Sequence, residues 1–541
     1  MSASSKKKLR KDQETAKLTE KQLTEQKEAK KLKVYTIAFV AILAVMLVAA
    51  IVVGINQAVT NSGIREKNTV ALTVGDHEIS NAELNYFYIN TINQNASYMS
   101  YFVDTTKPLN EQYTDEEAGT TWADYFVDLA KDAAKQAYAI ADAAKAAGYT
   151  LPEDTQAEID ANISNLALYG MYYGYSDAES YLKAMYGKGA TVESFQSYLE
   201  LTQLANTYPT AYSDSLSYTD ADLRAEEAEN YNQFSSYSFH SYYLAASKFL
   251  TGGTTDENGS TTYSDEEKAA SVEAAKAAAE SLIGEEVTSV AELDEAIASL
   301  AINAETTASS TNYEDTLYSS IPAKLQDWVT SDERAAGDKA VIPSETTTTN
   351  EDGTETTTTN GYYVVFFQDS NDNDFALKNA RHILVSFEGG TTDENGTTTY
   401  SDEEKAAAKA SAEELLALWK NGDANEESFA ALANEKSTDP GSNTNGGLYE
   451  DIFPGQMVES FDNWCYDASR KVGDTGIVET SYGYHVMYFS GNSDTTYRNY
   501  LIDSQLRSAD VDNWYSETIE AVTVVDGNTK YLSKDLVLSS N

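Results

Sequence analysis

The sequence contains part of itself twice, and that limits its folds more than any other feature. GGTTDENGSTTYSDEEK at 252–268 returns as GGTTDENGTTTYSDEEK at 389–405, with Ser260 against Thr397 as the one difference. Such a match at a fixed offset marks two copies of one structural unit. Further on, DWVTSDERAAGDKAVIPS (327–344) runs without gaps against NWCYDASRKVGDTGIVET (463–480). Trp328 then pairs with Trp464, Arg334 with Arg470, and Gly337-Asp338 with Gly473-Asp474. GYYVVFF (361–367) matches GYHVMYF (483–489), so tandem copies are expected over 236–370 and 376–491.

Each copy reads strand, Asn-Gly hairpin, helix, helix, loop, helix, strand, which is an α+β unit and not a βαβ series. In the second copy Ser401 and Glu404 form a capping box, Leu415, Leu418 and Trp419 share one helix face, and Asn421-Gly422 ends the helix. The acidic stretch from Asp393 to Gly396 lacks the alternating ligand spacing of a calcium loop and reads as the hairpin turn. No metal and no cofactor are expected.

Length adds more domains to these two. At 541 residues the chain exceeds one hydrophobic core and should divide into about three or four units. Val34 to Ile55 carries no charge and is long enough to cross a hydrocarbon layer of about 30 Å as a helix. The Lys-rich residues 1–33 before it and the nearly neutral segment after it place the N-terminus in the cytoplasm and everything beyond about residue 56 outside. A cleaved signal peptide is the competing reading, but the apolar run exceeds its usual core of about 7–15 residues. One cysteine, Cys465, excludes an internal disulfide, a Cys-based zinc site and a lipid-modified N-terminal cysteine; beside Trp464 it reads as a small core residue. The net charge of -48 argues against a nucleic-acid partner, because phosphate binding needs clustered Lys and Arg.

Residues 67–79 alternate around a Gly-Asp turn as a short hairpin, His77 lies at that turn as a surface residue, and Ser80 caps a helix. Ala- and Tyr-rich segments at helical spacing follow, separated by Gly or Pro. A strand-turn reading VGDHEISNAE ahead of such helices resembles the N-terminal chaperone domain of PrsA and SurA type foldases. YRNYLIDSQLRSADVDNWYSETIEAVTVV after residue 495 resembles the segment that returns to complete that domain.

The second copy carries ARHILV, ESFAALANEKSTDPGS, NGGLYEDIFPGQMVESF and GDTGIVETSYGYHVMYF in order, and by these it resembles the parvulin (rotamase, PpiC) family of peptidyl-prolyl isomerases. The resemblance implies a catalytic domain over 376–491, with histidines His382 and His485 on adjacent strands and Asp439 beside the prolyl amide. It implies a proline-ring pocket of Leu448, Met457 and Phe461. The whole is then an α+β protein: a tail (1–33), a transmembrane helix (34–55), a mostly helical SurA-N-like domain (67–235, completed by 495–541) and two parvulin-like domains, the first degenerate. Its partners would be unfolded or newly exported proline-containing polypeptides at the outer face of the cytoplasmic membrane of a bacterium, Gram-positive by this reading. A homodimer is compatible with it.

Physical reading of these residues runs alongside. A prolyl bond turns slowly because amide resonance sets a barrier of about 18–20 kcal/mol. Lowering it needs an apolar grip on the ring and polar groups that favour the twisted amide, with no covalent step. Period-two alternation puts His382 and Leu384 on one strand face, and His485, Met487 and Phe489 on one face of the last strand, so the imidazoles can meet. A lone buried His is usually a satisfied core residue, Asp439 before Pro440-Gly441 also suits a turn, and Met457 and Phe461 at helical spacing also suit a core.

Two departures from the family stand out. Tyr449 follows the Gly-Gly-Leu leucine where the family usually has Gly, and Tyr482 takes a position that is often small. The loop after Ser386 is acidic, so no preference for phosphorylated Ser/Thr-Pro is expected. In the first copy Tyr363 stands at the place of His485, Leu244 or Ala245 falls opposite His382, His240 lies several residues too early, and ETTASSTNYED lacks the Asp and Gly-Gly-Leu elements. That copy reads as a non-catalytic module with the Thr-rich 345–360 as an exposed hairpin tip. An isomerase for exported proteins is the leading function, and a holdase chaperone that uses the parvulin fold as a client-binding surface is the alternative.

Overall fold

The computed structural model describes residues 63–99, 101–300, 309–350, 353–393 and 396–538. The expected cytoplasmic tail and membrane helix lie outside them, and no described helix is long and apolar enough to cross a membrane. The described chain forms two compact units, one of Tyr218–Leu506 and one of 63–217 with 507–538.

The second of these units is mostly helical. Strands β1 (Val70–Val74) and β2 (His77–Ser80) make the hairpin around Gly75, and Ser80 Oγ accepts the Glu83 amide at 3.2 Å at the head of helix α1 (Asn81–Met99). Helices α2 (Trp122–Ala146), α3 (Glu153–Tyr172), α4 (Ala178–Tyr186) and α5 (Val192–Ser215) follow. Thr121, Asp177 and Thr191 cap three of them through side-chain oxygens, which satisfies amides that a helix start leaves unpaired. Their apolar faces bury Tyr86, Phe126, Tyr181 and Tyr186 in one core. His77 lies at the turn, partly exposed as expected, with its Nε2 2.7 Å from Asp142 Oδ2.

The other unit begins with helix α6 (Asp220–Asn230) and then builds the two copies on one plan. Copy one runs through strand β3 (Ser236–Ala245), helices α7 (Asp265–Ser281) and α8 (Val290–Ala298), strand β4 (Ser309–Leu317), helix α9 (Ala323–Val329) and strands β5 (Lys339–Thr349) and β6 (Glu355–Asn371). Copy two repeats this as β7 (Ala376–Ser386), α10 (Asp402–Lys420), α11 (Glu426–Lys436), β8 (Leu448–Ile452), α12 (Glu459–Tyr466), β9 (Thr475–Thr480) and β10 (Gly483–Thr496). Sheet order is β4-β3-β6-β5 in one and β8-β7-β10-β9 in the other, the same topology. Each sheet thus gains two strands that the sequence pattern left as loop. The repeated hairpin is also built the same way twice: Gly253 and Gly390 amides donate to Glu267 and Glu404, the capping-box acids, each at 2.8 Å. The Thr-rich segment is a ladder of β5 on β6, exposed at its far end.

Helix α13 (Tyr497–Glu520) leaves copy two, and strand β11 (Val524–Asp526) then pairs with β1 in the helical unit. At the start of α13, Arg498 is 4% exposed and ties the entrances of both copies together. It donates to Glu227 at 2.5 Å, to the carbonyls of Asp372 at 2.8 Å and Tyr231 at 2.9 Å, and lies 3.9 Å over the Tyr231 ring. Breaking a buried pair by removing one partner costs about 3–5 kcal/mol, less here because Glu227 is partly solvated. Arg498→Met should lower the melting temperature of this unit by several degrees in calorimetry, and an unchanged melting temperature would remove Arg498 as its lock.

Candidate active site

The site starts from the pairing of β7 with β10, which sets His382 opposite Met487 and Leu384 opposite His485. Alternate residues of a strand share a face, so Ala380, His382 and Leu384 lie with His485 and Met487 on one side. Ile383, Val486 and Tyr488 lie on the other side, against α10 and α11. Diagonal neighbours across strands are within reach of ring side chains. The two imidazoles stack at 5.0 Å with 2.8 Å between their Nδ1 atoms, and both are buried.

The loop after α11 brings the carboxylate. It is stitched to β7 by the Thr438 amide on the Leu384 carbonyl (2.9 Å) and the Leu384 amide on Ser437 Oγ (3.1 Å). Asp439 Oδ2 then lies 3.0 Å from His382 Nε2, and Ser442 Oγ lies 3.1 Å from the same nitrogen. The Gly-Gly element completes the frame. Gly447 accepts the His382 amide at 2.8 Å through its carbonyl, and with φ +70° a Cβ there would meet the His382 carbonyl oxygen at 2.1 Å, so only glycine fits. Helix α12 supplies Phe461, fully buried with its ring nearly perpendicular to both imidazoles at 5.5 and 5.6 Å. Met457, half-buried just before α12, packs in the same apolar cluster.

Charge and proton order follow from these contacts. Burial alone would raise Asp439, but hydrogen bonds from His382, Ser442 and Tyr449 win and hold its carboxyl well below the usual carboxylate range. An ionised carboxylate can only accept, so His382 donates to it from Nε2. The second nitrogen of His382 meets His485 Nδ1, and His485 Nε2 lies 2.9 Å from Thr480 Oγ1. Thr480 in turn accepts the Tyr482 amide at 3.1 Å. Every polar atom on this line has a partner, and burial favours the neutral form of His485. Burial lowers His485 to about 3.

Of the residues expected in the site, the structure brings together His382, His485, Asp439, Met457 and Phe461, and leaves out Leu448. Leu448 pairs with Arg381, so it faces away from the imidazoles. Tyr449 pairs with Ala380 and lies on the His382 side, packed with Met457 and Phe461. The residue next along the strand therefore occupies the wall assigned to Leu448, and Tyr449 is no substitute for a turn glycine. Ser442 and Thr480 were also missed. Tyr482 is an exposed turn residue. Cys465 is buried in the core beneath α12, and burial pushes its thiol up to about 12.

The register also corrects the reading of copy one. Ser241 pairs with Val365 as His382 pairs with Met487, so Ser241, and neither Leu244 nor Ala245, stands at the place of His382. His240 lies one residue before that place, on the helix side of the sheet, where its ring packs against Tyr242 at 5.2 Å, tilted by 48°. The reason is the 3-10 turn Ala246–Phe249, four residues that copy two lacks, which shifts any count carried back from the hairpin. A signal for Tyr449 was present in the same way: NYED at 312–315 and LYED at 448–451 align, and Asp315 and Asp451 both adopt positive φ, 41° and 52°.

With its native value below the ordinary histidine range near 6.5, His485 leaves the unfolded chain to bind protons first on acidification. Stability should therefore fall as pH drops from about 6.5 toward 3 and be fully present above 6.5. Nitrogen NMR of the imidazoles checks this directly: His485 should keep its neutral signature from pH 8 to about 4. A midpoint near 6.5 would contradict its buried neutral state.

Comparison with known proteins agrees with this geometry. The family model of the PPIC-type PPIASE domain matches residues 365–492. "Foldase protein PrsA 1" of Listeria innocua is 43% identical over 79 residues, 15% of this chain and 26% of that protein. "Foldase protein PrsA" of Geobacillus kaustophilus is 45% identical over 62 residues, covering 11% of this chain and 21% of its own. The chain thus spans about a quarter of the length of the curated relatives it matches. A crystal structure of the peptidylprolyl isomerase PrsA from Bacillus anthracis aligns at 23% identity over 28% of this chain and 59% of that one, with a TM-score of 0.17. The family match spans β7 to β10, with the strands, loop and helix that gather the two imidazoles and the carboxylate, so the second copy is similar to the PPIC-type PPIASE domain over its whole length.

Proposed function

We propose that the protein is a peptidyl-prolyl cis/trans isomerase and foldase for exported polypeptides, with its activity in copy two. The observation that carries this is the line Asp439–His382–His485–Thr480, closed in hydrogen bonds and set against the apolar ring of Phe461. His382, Asp439 and His485 are its catalytic group, and Tyr449 takes the place of Leu448 beside Met457 and Phe461 in the socket for the proline ring.

The chemistry needs no cofactor. A planar prolyl amide owes its rigidity to a resonance form with negative charge on oxygen and positive charge on nitrogen. A fixed anion beside the carbonyl raises that charge-separated form and so weakens the partial double bond. Asp439 supplies the anion, and the histidine line holds it still, so little reorganisation accompanies the twist. The socket grips the pyrrolidine ring while the preceding residue turns, which favours the twisted state over either ground state.

The remaining parts of the reading rest on sequence. Val34–Ile55 anchors the chain in the cytoplasmic membrane with the bulk outside, as suits a foldase for newly exported, proline-containing clients. The helical unit acts as a chaperone module of the SurA-N-like kind, and copy one, with Ser241 and Tyr363 at the histidine positions, acts as a non-catalytic module. One observation favours the holdase alternative: the helical unit contains a cavity of about 320 Å³ lined by Phe87, Ile140, Leu166 and Tyr198 among others. Such a cleft can hold apolar side chains of a client without isomerase chemistry.

A protease-coupled assay on an Ala-X-Pro peptide separates the two. The wild type should accelerate isomerisation, Asp439→Ala should lose at least about tenfold in kcat/KM, as expected for removal of one aligned electrostatic group, and Met457→Ala should mainly raise KM. Suppression of client aggregation by a wild type that shows no acceleration would leave the holdase reading.

A further inference from the structure

We propose that Tyr449 is a positioning residue for Asp439: its hydroxyl clamps one carboxylate oxygen and leaves the other to face the substrate. This rests on the isomerase reading of the site. Tyr449 Oη donates to Asp439 Oδ2 at 3.0 Å, Ser442 Oγ donates to the same oxygen at 2.5 Å, and His382 Nε2 lies 3.0 Å from it. Three donors converge on Oδ2, whereas Oδ1 meets the Gly441 amide at 3.4 Å. A carboxylate held by one oxygen in three directions cannot rotate, so Oδ1 has a fixed aim.

Two features of the chain make room for the clamp. A Cβ at Gly441 would lie 2.8 Å from Tyr449 Oη, so the glycine after Pro440 lets the hydroxyl through. Ala380, the small residue paired with Tyr449 across the strands, lets its ring lean toward His382, 5.4 Å away at 50°. Copy one is the control. There Phe239 pairs with Tyr313 at the equivalent positions, and the two rings stack flat at 4.3 Å and 10°. The same tyrosine on the same strand packs against an aromatic ring in one copy and holds a carboxylate in the other. The clamp thus belongs to the chemistry and not to the fold.

The test uses the full chain and two variants. Tyr449→Phe keeps the ring and removes the hydroxyl, and Gly441→Ala keeps the hydroxyl and pushes it off Asp439. Each should lower kcat about tenfold with KM within about twofold, the pattern of a lost transition-state interaction. In an Asp439→Asn background Tyr449→Phe should change kcat/KM by less than about twofold, because the clamped group is gone. Nitrogen NMR gives a readout that does not depend on turnover: the His382 Nε2 signal should shift in both variants, since its acceptor moves. An equal loss in the Asp439→Asn background would make Tyr449 a packing residue and overturn the clamp. An unmoved His382 signal in both variants would overturn it too. If the wild type shows no isomerase activity, the isomerase reading falls by itself, and the His382 signal still decides whether the clamp exists.

Discussion

The register of two central strands carries everything else in the site. Pairing His382 with Met487 and Leu384 with His485 leaves the two histidines as diagonal neighbours on one face, close enough for their Nδ1 atoms to lie 2.8 Å apart. Because side chains alternate with period two, a slip of one residue on either strand would send one imidazole into the helix layer with Ile383 and Val486. The sheet is protected from that slip on both faces. Trp419, Phe429 and Tyr488 fill the helix side, and Phe461, Cys465 and Met487 fill the other. Hydrophobic packing thereby fixes a polar contact, and the polar contact adds its own specificity because an unpaired buried imidazole would be costly.

From that contact a line of hydrogen bonds follows. Asp439 can only accept, so His382 donates to it, and the line runs on through His485 to Thr480. A neutral His485 avoids the repulsion of two buried cations, and the Asp439 carboxylate sits at the end of the line, partly exposed. A low-dielectric pocket with a single anion at its mouth is suited to a reaction in which charge shifts within an amide and no proton needs to move.

The repeat, the α+β class of each copy, the alternation that lets the histidines meet and the acid beside Pro440 were all legible in the sequence, because each is a local pattern or a long identity. What failed was counting across irregular backbone. The bulge that puts Asp451 at φ 52° inserts a residue into β8, and a strand read as loop gives no facing, so Leu448 was placed where Tyr449 stands. The 3-10 turn Ala246–Phe249 has the same effect in copy one, where it hid Ser241. Facing is a property of pairing between distant segments, and one extra residue reverses it without disturbing composition or periodicity nearby. The contacts of Ser442 and Thr480 depend on loop closure and have no signature of spacing.

Comparison of the copies then separates what the fold requires from what the chemistry requires. Both keep the Gly-Asp turn: Gly337 and Gly473 donate to the Phe367 and Phe489 carbonyls at 2.9 Å, and Asp338 and Asp474 fold back on the Ala335 and Lys471 amides. Both keep an arginine over a tryptophan, Arg334 on Trp328 at 4.7 Å and Arg470 on Trp464 at 4.0 Å. Both keep the capping boxes and the positive-φ Asp. Copy one does all this with Ser241 and Tyr363 where copy two has His382 and His485, and with Phe239 filling the space that Ala380 leaves open. A sheet of the same order thus forms without the imidazole pair, so the fold does not explain why copy two holds two buried histidines against a carboxylate. Buried polar groups that the fold can do without, aligned on one anion beside an apolar wall, mark a functional site.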